Sequence, residues 1–281
     1  MPLARGGFSR TWACLLALFL LLPGSLMAQK AKKGGGGTAK PFKVETITNS
    51  VGMTFVKIPA GSFMMGNASG PMFERPVHRV AISEPFYMQN TEVTQGQWQA
   101  VMGTRPWEGK EDVREGADFP AVYVSWEDAQ LFIEKMNQKE GETYQLPTEA
   151  EWEYACRAGT TSKFSFGNDE SRLVDFAWFT ANTEEKGEKY AHPVKLKQAN
   201  PWGLFDMHGN VMEWCEDWFG DYPKTPQKDP LGAFTGEYKV VRGSAWYCGA
   251  GALQSGQRGY TSPKDSNGSL GFRLVVSKSS N

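Results

Sequence analysis

Three cysteines, Cys156, Cys215 and Cys248, are the residues of this chain that could do the widest range of chemistry. A thiolate can ligate a soft metal ion or attack an electrophile, and two thiols can form a disulfide in an oxidising compartment. The fourth cysteine, Cys14, lies in an apolar run near the N-terminus. The other three are an odd number, so pairing two of them leaves one over. A plain disulfide framework is therefore not predicted.

The histidines offer little for a metal site. Only His78, His192 and His208 are present, and no two of them are closely spaced. Metal ligands in proteins commonly occur as short-spaced pairs, so a mononuclear iron site is not expected. We predict structural hydrogen-bonding roles for all three.

Three acids at alternating positions, Glu149, Glu151 and Glu153, could supply paired carboxylates for acid–base catalysis. They fall at the start of a predicted helix, where Thr148 can act as the N-cap and Glu151 can reach back to it. We expect the three to alternate between faces, with Glu149 and Glu151 serving the cap. A structural role is therefore predicted.

The elements that must position these side chains are short. Helices are predicted from Ser125 to about Glu140, from Thr148 to a stop at Gly159, and over Gln95–Met102. Strand-like stretches, rich in Val, Ile and Phe, are 55–58, 78–82, 86–88, 239–242 and 272–276. They alternate poorly with the helices. With 31 glycines and 16 prolines, the chain is predicted to be α+β with sparse regular structure and long loops.

The first 42 residues indicate export. Arg5 and Arg10 precede an apolar run, 12–22, and the small residue Ala28 follows, which is typical of a cleaved signal peptide over 1–28. An uncleaved short anchor is the alternative, although the run is about half the ~20 residues of a membrane span. Residues 29–42, rich in lysine and glycine, are predicted to be a flexible linker before one domain over 43–281. A periplasmic or extracellular location follows. The net charge of −1 argues against nucleic acid as a partner.

Several ordered motifs between Val51 and Val275 resemble the formylglycine-generating enzyme, or sulfatase-modifying factor, family. The longest of these motifs are 55–66, 146–154 and 203–214, with shorter ones at 76–80, 91–94, 120–126, 242–244 and 271–273. The resemblance implies a variant of the C-type-lectin-like fold. Relatives include copper-dependent oxidases that convert a sulfatase cysteine to formylglycine, iron-dependent sulfoxide synthases, and cell-envelope proteins.

The resemblance also implies a copper site that is incomplete here. The copper enzymes hold Cu(I) between two cysteines five residues apart, and Cys248 matches the first whereas Leu253 stands at the second. Ala245 replaces a family serine and Met212 a pocket tryptophan. Copper and the oxidase reaction are therefore not expected. Cys248 has two alternatives: a disulfide with Cys156 or Cys215, or a thiol.

A calcium site implied by the resemblance is better preserved. Asp206, the backbone carbonyls of Gly209 and Val211, and Glu213 match the family's ligands, and Asn182 matches one ligand of a second site whose spacing departs from the family. The alternative is that Asp206 and Glu213 bind loop amides. Arg273 is expected to support an internal carboxylate.

These observations favour an exported, calcium-stabilised binding or envelope-assembly module without oxidase activity. Its partner would be a protein or envelope component. The alternative is a formylglycine-generating-type oxidoreductase that acts through Cys248 on a sulfatase-like peptide. A third hypothesis is carbohydrate recognition by tryptophans, which are otherwise expected in the core: Trp126, Trp152, Trp178, Trp202, Trp214 and Trp246.

Overall fold

The computed structural model describes residues 44–277. The predicted signal peptide, 1–28, and linker, 29–42, lie outside the described residues. The α-helices of this range are α1 (Gln95–Met102), α2 (Trp126–Glu140), α3 (Glu149–Arg157) and α4 (Leu173–Phe176). Short 3₁₀ turns occur in the long loops between them.

Reciprocal capping boxes begin the three longer helices. The hydroxyls of Thr94, Ser125 and Thr148 accept from the backbone N–H three residues later, and the side chain found there returns a bond to the cap. Each such cap contributes about 1 kcal/mol to helix stability. Left-handed residues end these helices at Gly103, Gly141 and Ala158. These helices were therefore predicted correctly from local sequence.

Within residues 44–277, twelve strands form three small sheets. They are β1 (Thr46–Thr48), β2 (Thr54–Ile58), β3 (Gly61–Met65), β4 (His78–Ile82), β5 (Phe86–Gln89), β6 (Tyr144–Gln145), β7 (Met212–Trp218), β8 (Gln227–Lys228), β9 (Lys239–Arg242), β10 (Gly259–Thr261), β11 (Leu270–Gly271) and β12 (Val275–Val276). The sheet orders are β1-β2-β5-β12-β6, β10-β9-β7-β11 and β3-β4-β8. The predicted α+β class is confirmed.

The chain around Arg273 differs from the prediction, which was a strand over 272–276. Only Val275–Val276 is regular strand. The carbonyls of Phe272 and Leu274 accept single bonds from Val93 and Gln89. Between them Arg273 turns into the interior and is fully buried. The internal ion pair of Arg273 holds this segment in place of a regular β-ladder.

A buried core lies between α1, α2 and the strands around them. Trp98 stacks on Phe132, and the Phe272 ring meets both edge-on. Trp214, buried at the centre, donates its indole N–H to the Val124 carbonyl at 2.9 Å. None of the helices within 44–277 has the length and apolar content to cross a membrane.

Candidate functional site

Cys248 lies in a loop that follows β9. Its N–H donates to the Ala245 carbonyl at 2.9 Å, which closes a tight turn, and a 3₁₀ turn at Ala250–Leu253 follows. The Cys248 side chain is buried, with 1% of its surface exposed. The thiol that matches the first copper ligand of the family is therefore not presented in an open cleft.

Two threonines of the facing segment fix this loop through its backbone. The hydroxyl of Thr183 donates to the Trp246 carbonyl at 2.6 Å, and that of Thr180 to the Tyr247 carbonyl at 2.5 Å. The Thr180 N–H also donates to the Cys248 carbonyl at 3.1 Å. The three consecutive carbonyls of Trp246, Tyr247 and Cys248 are thus all hydrogen-bonded to Thr180 and Thr183. Sequence analysis had not singled out either threonine for this role.

Leu253, at the position of the second copper ligand, is buried and its carbonyl is bound to His208. His208 Nδ1 lies 2.8 Å from the Leu253 carbonyl oxygen. On the other side of the ring, Nε2 accepts the Ser165 N–H at 3.2 Å. Because a backbone N–H can only donate, Nε2 carries no proton and Nδ1 is the donor. Burial lowers the pKa of His208 to about 4, so it is a neutral structural residue, in agreement with the prediction.

The two other cysteines are buried thiols, and no disulfide joins any of the three within residues 44–277. The alternative of a disulfide at Cys248 is therefore wrong for this structure. Cys156 lies 3.9 Å from His208 Nε2, but burial raises the pKa of its thiol to about 12. Burial also raises the pKa of Cys215. Both thiols are thus protonated and unreactive at neutral pH.

Four of the predicted calcium residues, Asp206, Gly209, Val211 and Glu213, lie in the segment that leads into and begins β7. Glu213 is fully buried and both of its oxygens are engaged: Arg273 binds them at 2.6 and 2.7 Å, and Trp152 donates to one at 2.7 Å. The expected support of a carboxylate by Arg273 is confirmed. The alternative assignment of Glu213 to loop amides is wrong, because its partners are two side chains. A cation at Glu213 would have to displace the guanidinium.

Asp206 differs from Glu213 because one of its carboxylate oxygens makes no hydrogen bond within the described residues. Its Oδ2 accepts the Lys195 N–H at 2.8 Å, whereas Oδ1 is buried without a hydrogen-bond partner among the described residues. Burial raises the pKa of Asp206 to about 6. Glu92, which sequence analysis did not single out, is also fully buried and has an open Oε2. Burial, followed by the charge of Asp206, raises its pKa.

The fit to Ca²⁺ is therefore incomplete as the side chains stand. The open oxygen of Asp206 suits the ion, but Glu213 is committed to Arg273. Asn182 uses its amide within its own turn, accepting from Phe179 and donating to the Ala177 carbonyl. Within 44–277, no group of three or more His, Cys, Asp or Glu side chains is placed to hold a metal ion. Calcium at this segment stays a prediction.

Comparison with known proteins decides the family. The sequence profile of the "Sulfatase-modifying factor enzyme 1-like domain" matches residues 42–278. The chain belongs to the sulfatase-modifying factor family. It is similar to the formylglycine-generating enzyme of Streptomyces coelicolor, with 29% identity covering 78% of this chain and 88% of the relative. Chaperone protein LppX of Paenibacillus barcinonensis is 28% identical, covering 69% of this chain and 80% of LppX.

A solved structure of the same family fold is similar over most of the chain. Treponema denticola variable protein 1 superposes with a TM-score of 0.74 and 31% identity, covering 83% of this chain and 98% of that one. The expected fold of the sulfatase-modifying factor family is thereby confirmed.

Within this family fold, Glu149 and Glu153 correct the interpretation from sequence. Glu151 alone serves the cap, bonding the Thr148 N–H at 2.8 Å. Glu149 and Glu153 are four residues apart and so share one helix face. That face is buried, and Arg258 binds both oxygens of Glu149, at 2.5 and 2.7 Å. Burial alone would raise the pKa of Glu149, but the charges of Arg258 and Arg242 lower it overall.

Glu153 completes the same buried network. It accepts from Arg242 and, at 2.9 Å, from Arg157 Nε. It also accepts the Gly66 N–H at 2.9 Å. With every oxygen engaged by a fixed donor, neither acid is available for proton transfer, so the structural role predicted for the pair is correct although its mechanism was not.

The aromatic and histidine residues also have structural positions. Trp152, Trp202, Trp214 and Trp246 are buried, as expected for the core. Trp178 is partly buried and stacks on His192 at 3.9 Å between ring centroids, and Trp126 is covered by the Lys239 ammonium. The six tryptophans therefore do not form one exposed sugar platform.

Proposed function

We propose that this protein is an exported, non-oxidase member of the sulfatase-modifying factor family that binds another protein, in the manner of an envelope-assembly factor. Export rests on the signal-like features of residues 1–28. Two positions of the family's copper site are altered here, to Leu253 and Ala245. We therefore expect a binding function and no copper-dependent oxidation.

The main support for the proposal is that the two copper-ligand positions of the family are occupied by Cys248 and Leu253, so only one of them is a cysteine. Both residues are 1% exposed, so neither position of the family's two-cysteine site is open to solvent. A single buried thiolate is a poor Cu(I) ligand, since soft sites of this kind rely on two sulfur donors. Ala245, also buried, removes the hydroxyl of the family serine.

The likeness to LppX supports a protein as the partner, since that relative is named a chaperone and the similarity covers 80% of its length. The rival function is oxidation of a protein cysteine through Cys248. It is favoured by the retained thiol and by the similarity to the Streptomyces coelicolor enzyme. A sulfatase-like peptide would be its substrate.

Calcium is a further part of the proposal. Asp206 Oδ1, with the carbonyls of Gly209 and Val211, would supply hard oxygen ligands, and the ion would order the loop before β7. Since Glu213 is bound to Arg273, we expect the affinity to be modest.

The test is an aggregation assay with chemically denatured citrate synthase as the client. The purified protein and its Cys248→Ala variant should suppress light scattering equally, because binding does not need the thiol. Cys215→Ala, which removes another buried thiol, controls for loss of packing, and circular dichroism checks the fold of each variant. Absence of suppression by the folded wild-type protein, or its loss in Cys248→Ala alone, would contradict the proposal.

A further inference from the structure

Four aromatic side chains, two exposed and two partly buried, cluster at one edge of the β10-β9-β7-β11 sheet. We call Phe73, Phe219, Tyr238 and Tyr260 the aromatic patch. The Phe219 and Tyr260 ring centroids are 4.2 Å apart, Tyr238 and Tyr260 are 5.4 Å apart, and Phe73 meets both Phe219 and Tyr260 edge-on. Tyr260 is 47% exposed and Tyr238 38%. Clustered rings with exposed faces are candidates for an interaction site.

The buried side chain of Arg258 contacts the aromatic patch on its interior side. The Arg258 guanidinium lies 4.7 Å from the Phe219 ring centroid. Its Nη1 donates to the carbonyls of Phe73 at 2.6 Å and Gly220 at 3.1 Å. The segments that carry two of the rings are thus tied to one side chain, which Glu149 holds in turn. Backbone segments that are already held by hydrogen bonds lose less conformational freedom when a partner binds.

The strand that carries Tyr260 has an open side. Among the strands of residues 44–277, β10 is an outer strand of its sheet and pairs only with β9, with Tyr260 opposite Val240. Unpaired backbone groups on an outer strand can accept another extended chain, and side-chain pockets beside the strand then give specificity. An extended peptide laid along β10 would run beside Tyr260.

The charges around the patch select the sign of the partner. The segments that carry or border the rings hold equal numbers of exposed acids and bases, namely Asp221, Glu237, Asp265, Arg75, Lys224 and Lys264, but the charges that act on Tyr238 are those of acids. Glu237 and Asp265 act on Tyr238 directly, and the charge of Glu237 is the main cause that raises the pKa of its phenol. Tyrosine faces attract cations. Rings beside carboxylates therefore favour a lysine or arginine side chain over an acidic one.

We propose that the aromatic patch and the outer edge of β10 bind an extended segment of a partner protein that carries lysine or arginine side chains. The inference rests on the proposed function, a protein-binding role, and names the class of its partner. The basic side chains lie over Tyr238 and Tyr260 and face Glu237 and Asp265, while the partner's backbone bonds to β10.

The test is an NMR titration of the isotope-labelled protein with a hexapeptide of alternating valine and lysine. Backbone amide shifts are expected at Gly259–Thr261 and at Tyr238, with binding that weakens as salt is added. The double variant Glu237→Gln/Asp265→Asn should raise the Kd about tenfold. Asp175→Asn/Glu185→Gln removes the same charge from exposed acids outside the patch segments, and should leave the Kd unchanged.

Other outcomes overturn the inference. If a valine–glutamate hexapeptide binds equally well, charge does not determine the choice of partner. If cellohexaose shifts the same amides and the lysine peptide does not, the patch is a carbohydrate site. Absence of shifts with the lysine peptide at millimolar concentration also rejects it. If that result accompanies suppression of citrate synthase aggregation, the proposed function stands and only the partner class is wrong.

Discussion

His208 Nδ1 donates a hydrogen bond of 2.8 Å to the carbonyl oxygen of Leu253, the residue that stands where the copper enzymes of the family have a second cysteine. The histidine ring therefore braces the altered end of the candidate site. Its opposite nitrogen accepts from Ser165, so both ring nitrogens are committed and the neutral tautomer is fixed.

This arrangement predicts a specific pH dependence of stability. The pKa of His208 is about 4 in the folded chain, against an ordinary value of about 6.5 in the unfolded chain. Between these values only the unfolded chain takes up the proton, so falling pH costs stability. The slope approaches about 1.4 kcal/mol per pH unit.

The variant His208→Gln, which keeps an acceptor and a donor, should lack this contribution. Urea unfolding of both proteins from pH 7 to pH 4 isolates it, because Asp206 and Asp217, with raised pKa values of about 6 and about 7, act in the opposite direction in both. The wild-type protein should lose stability relative to the variant as pH falls. Parallel curves would show that His208 is not buried and neutral.

Breaking the Arg258–Glu149 pair should be strongly destabilising. The Arg258→Met variant leaves the Glu149 carboxylate buried without its main cation, and we expect a loss of about 3–5 kcal/mol in the free energy of unfolding. Lys163→Met is the matched control, because its pair with Glu170 is about half exposed and should contribute less than about 1 kcal/mol. Similar losses in the two variants would mean that the buried network does not hold the fold.

Restoring the second thiol should restore part of the copper affinity. Leu253→Cys places a cysteine five residues after Cys248, and the affinity for Cu(I) should rise by about tenfold or more, equivalent to about 1.4 kcal/mol. The double variant Cys248→Ala/Leu253→Cys should show no such gain. Competition with a colorimetric Cu(I) chelator measures both. An equal gain in Cu(I) affinity in the double variant would mean that Cys248 is not a ligand of the new copper site.

Calcium should stabilise the protein through Asp206. Thermal unfolding with saturating Ca²⁺ should show a Tm about 2–4 °C higher than with a chelator, since a modest ligand contributes about 1 kcal/mol. Asp206→Ala should abolish the difference, and Asp175→Ala, at an exposed site, should preserve it. An unchanged Tm in the wild-type protein would mean that the Glu213–Arg273 pair excludes the ion.

Local signals predicted the helices well, because each capping box is complete within four residues, as at Ser125 and Asp128. The strand β7 was not predicted. Three consecutive residues of β7, Glu213 to Cys215, are buried and two of its buried residues are acids, so the sequence shows no apolar period of two. Long-range pairing was equally hidden: nothing near Glu149 in the sequence indicates Arg258, 109 residues away.

The sequence predicted which residue types occupy the site. It did not predict which of them are buried or which partners they contact. The substitution of Leu253 for a second cysteine is visible in the sequence, as is the acid at Glu213. The burial of Cys248 and the bonds that Thr180 and Thr183 make to its loop exist only in the folded chain. The engagement of Glu213 by Arg273 likewise closes a loop of 60 residues.

The most direct test of the non-oxidase assignment is to incubate the purified protein with Cu(I), oxygen and a sulfatase-type peptide that contains one cysteine, and to measure the peptide mass. The Streptomyces coelicolor formylglycine-generating enzyme is the positive control. We predict that the peptide cysteine stays unconverted with this protein. Conversion to formylglycine by the wild-type protein, abolished in Cys248→Ala, would contradict the account.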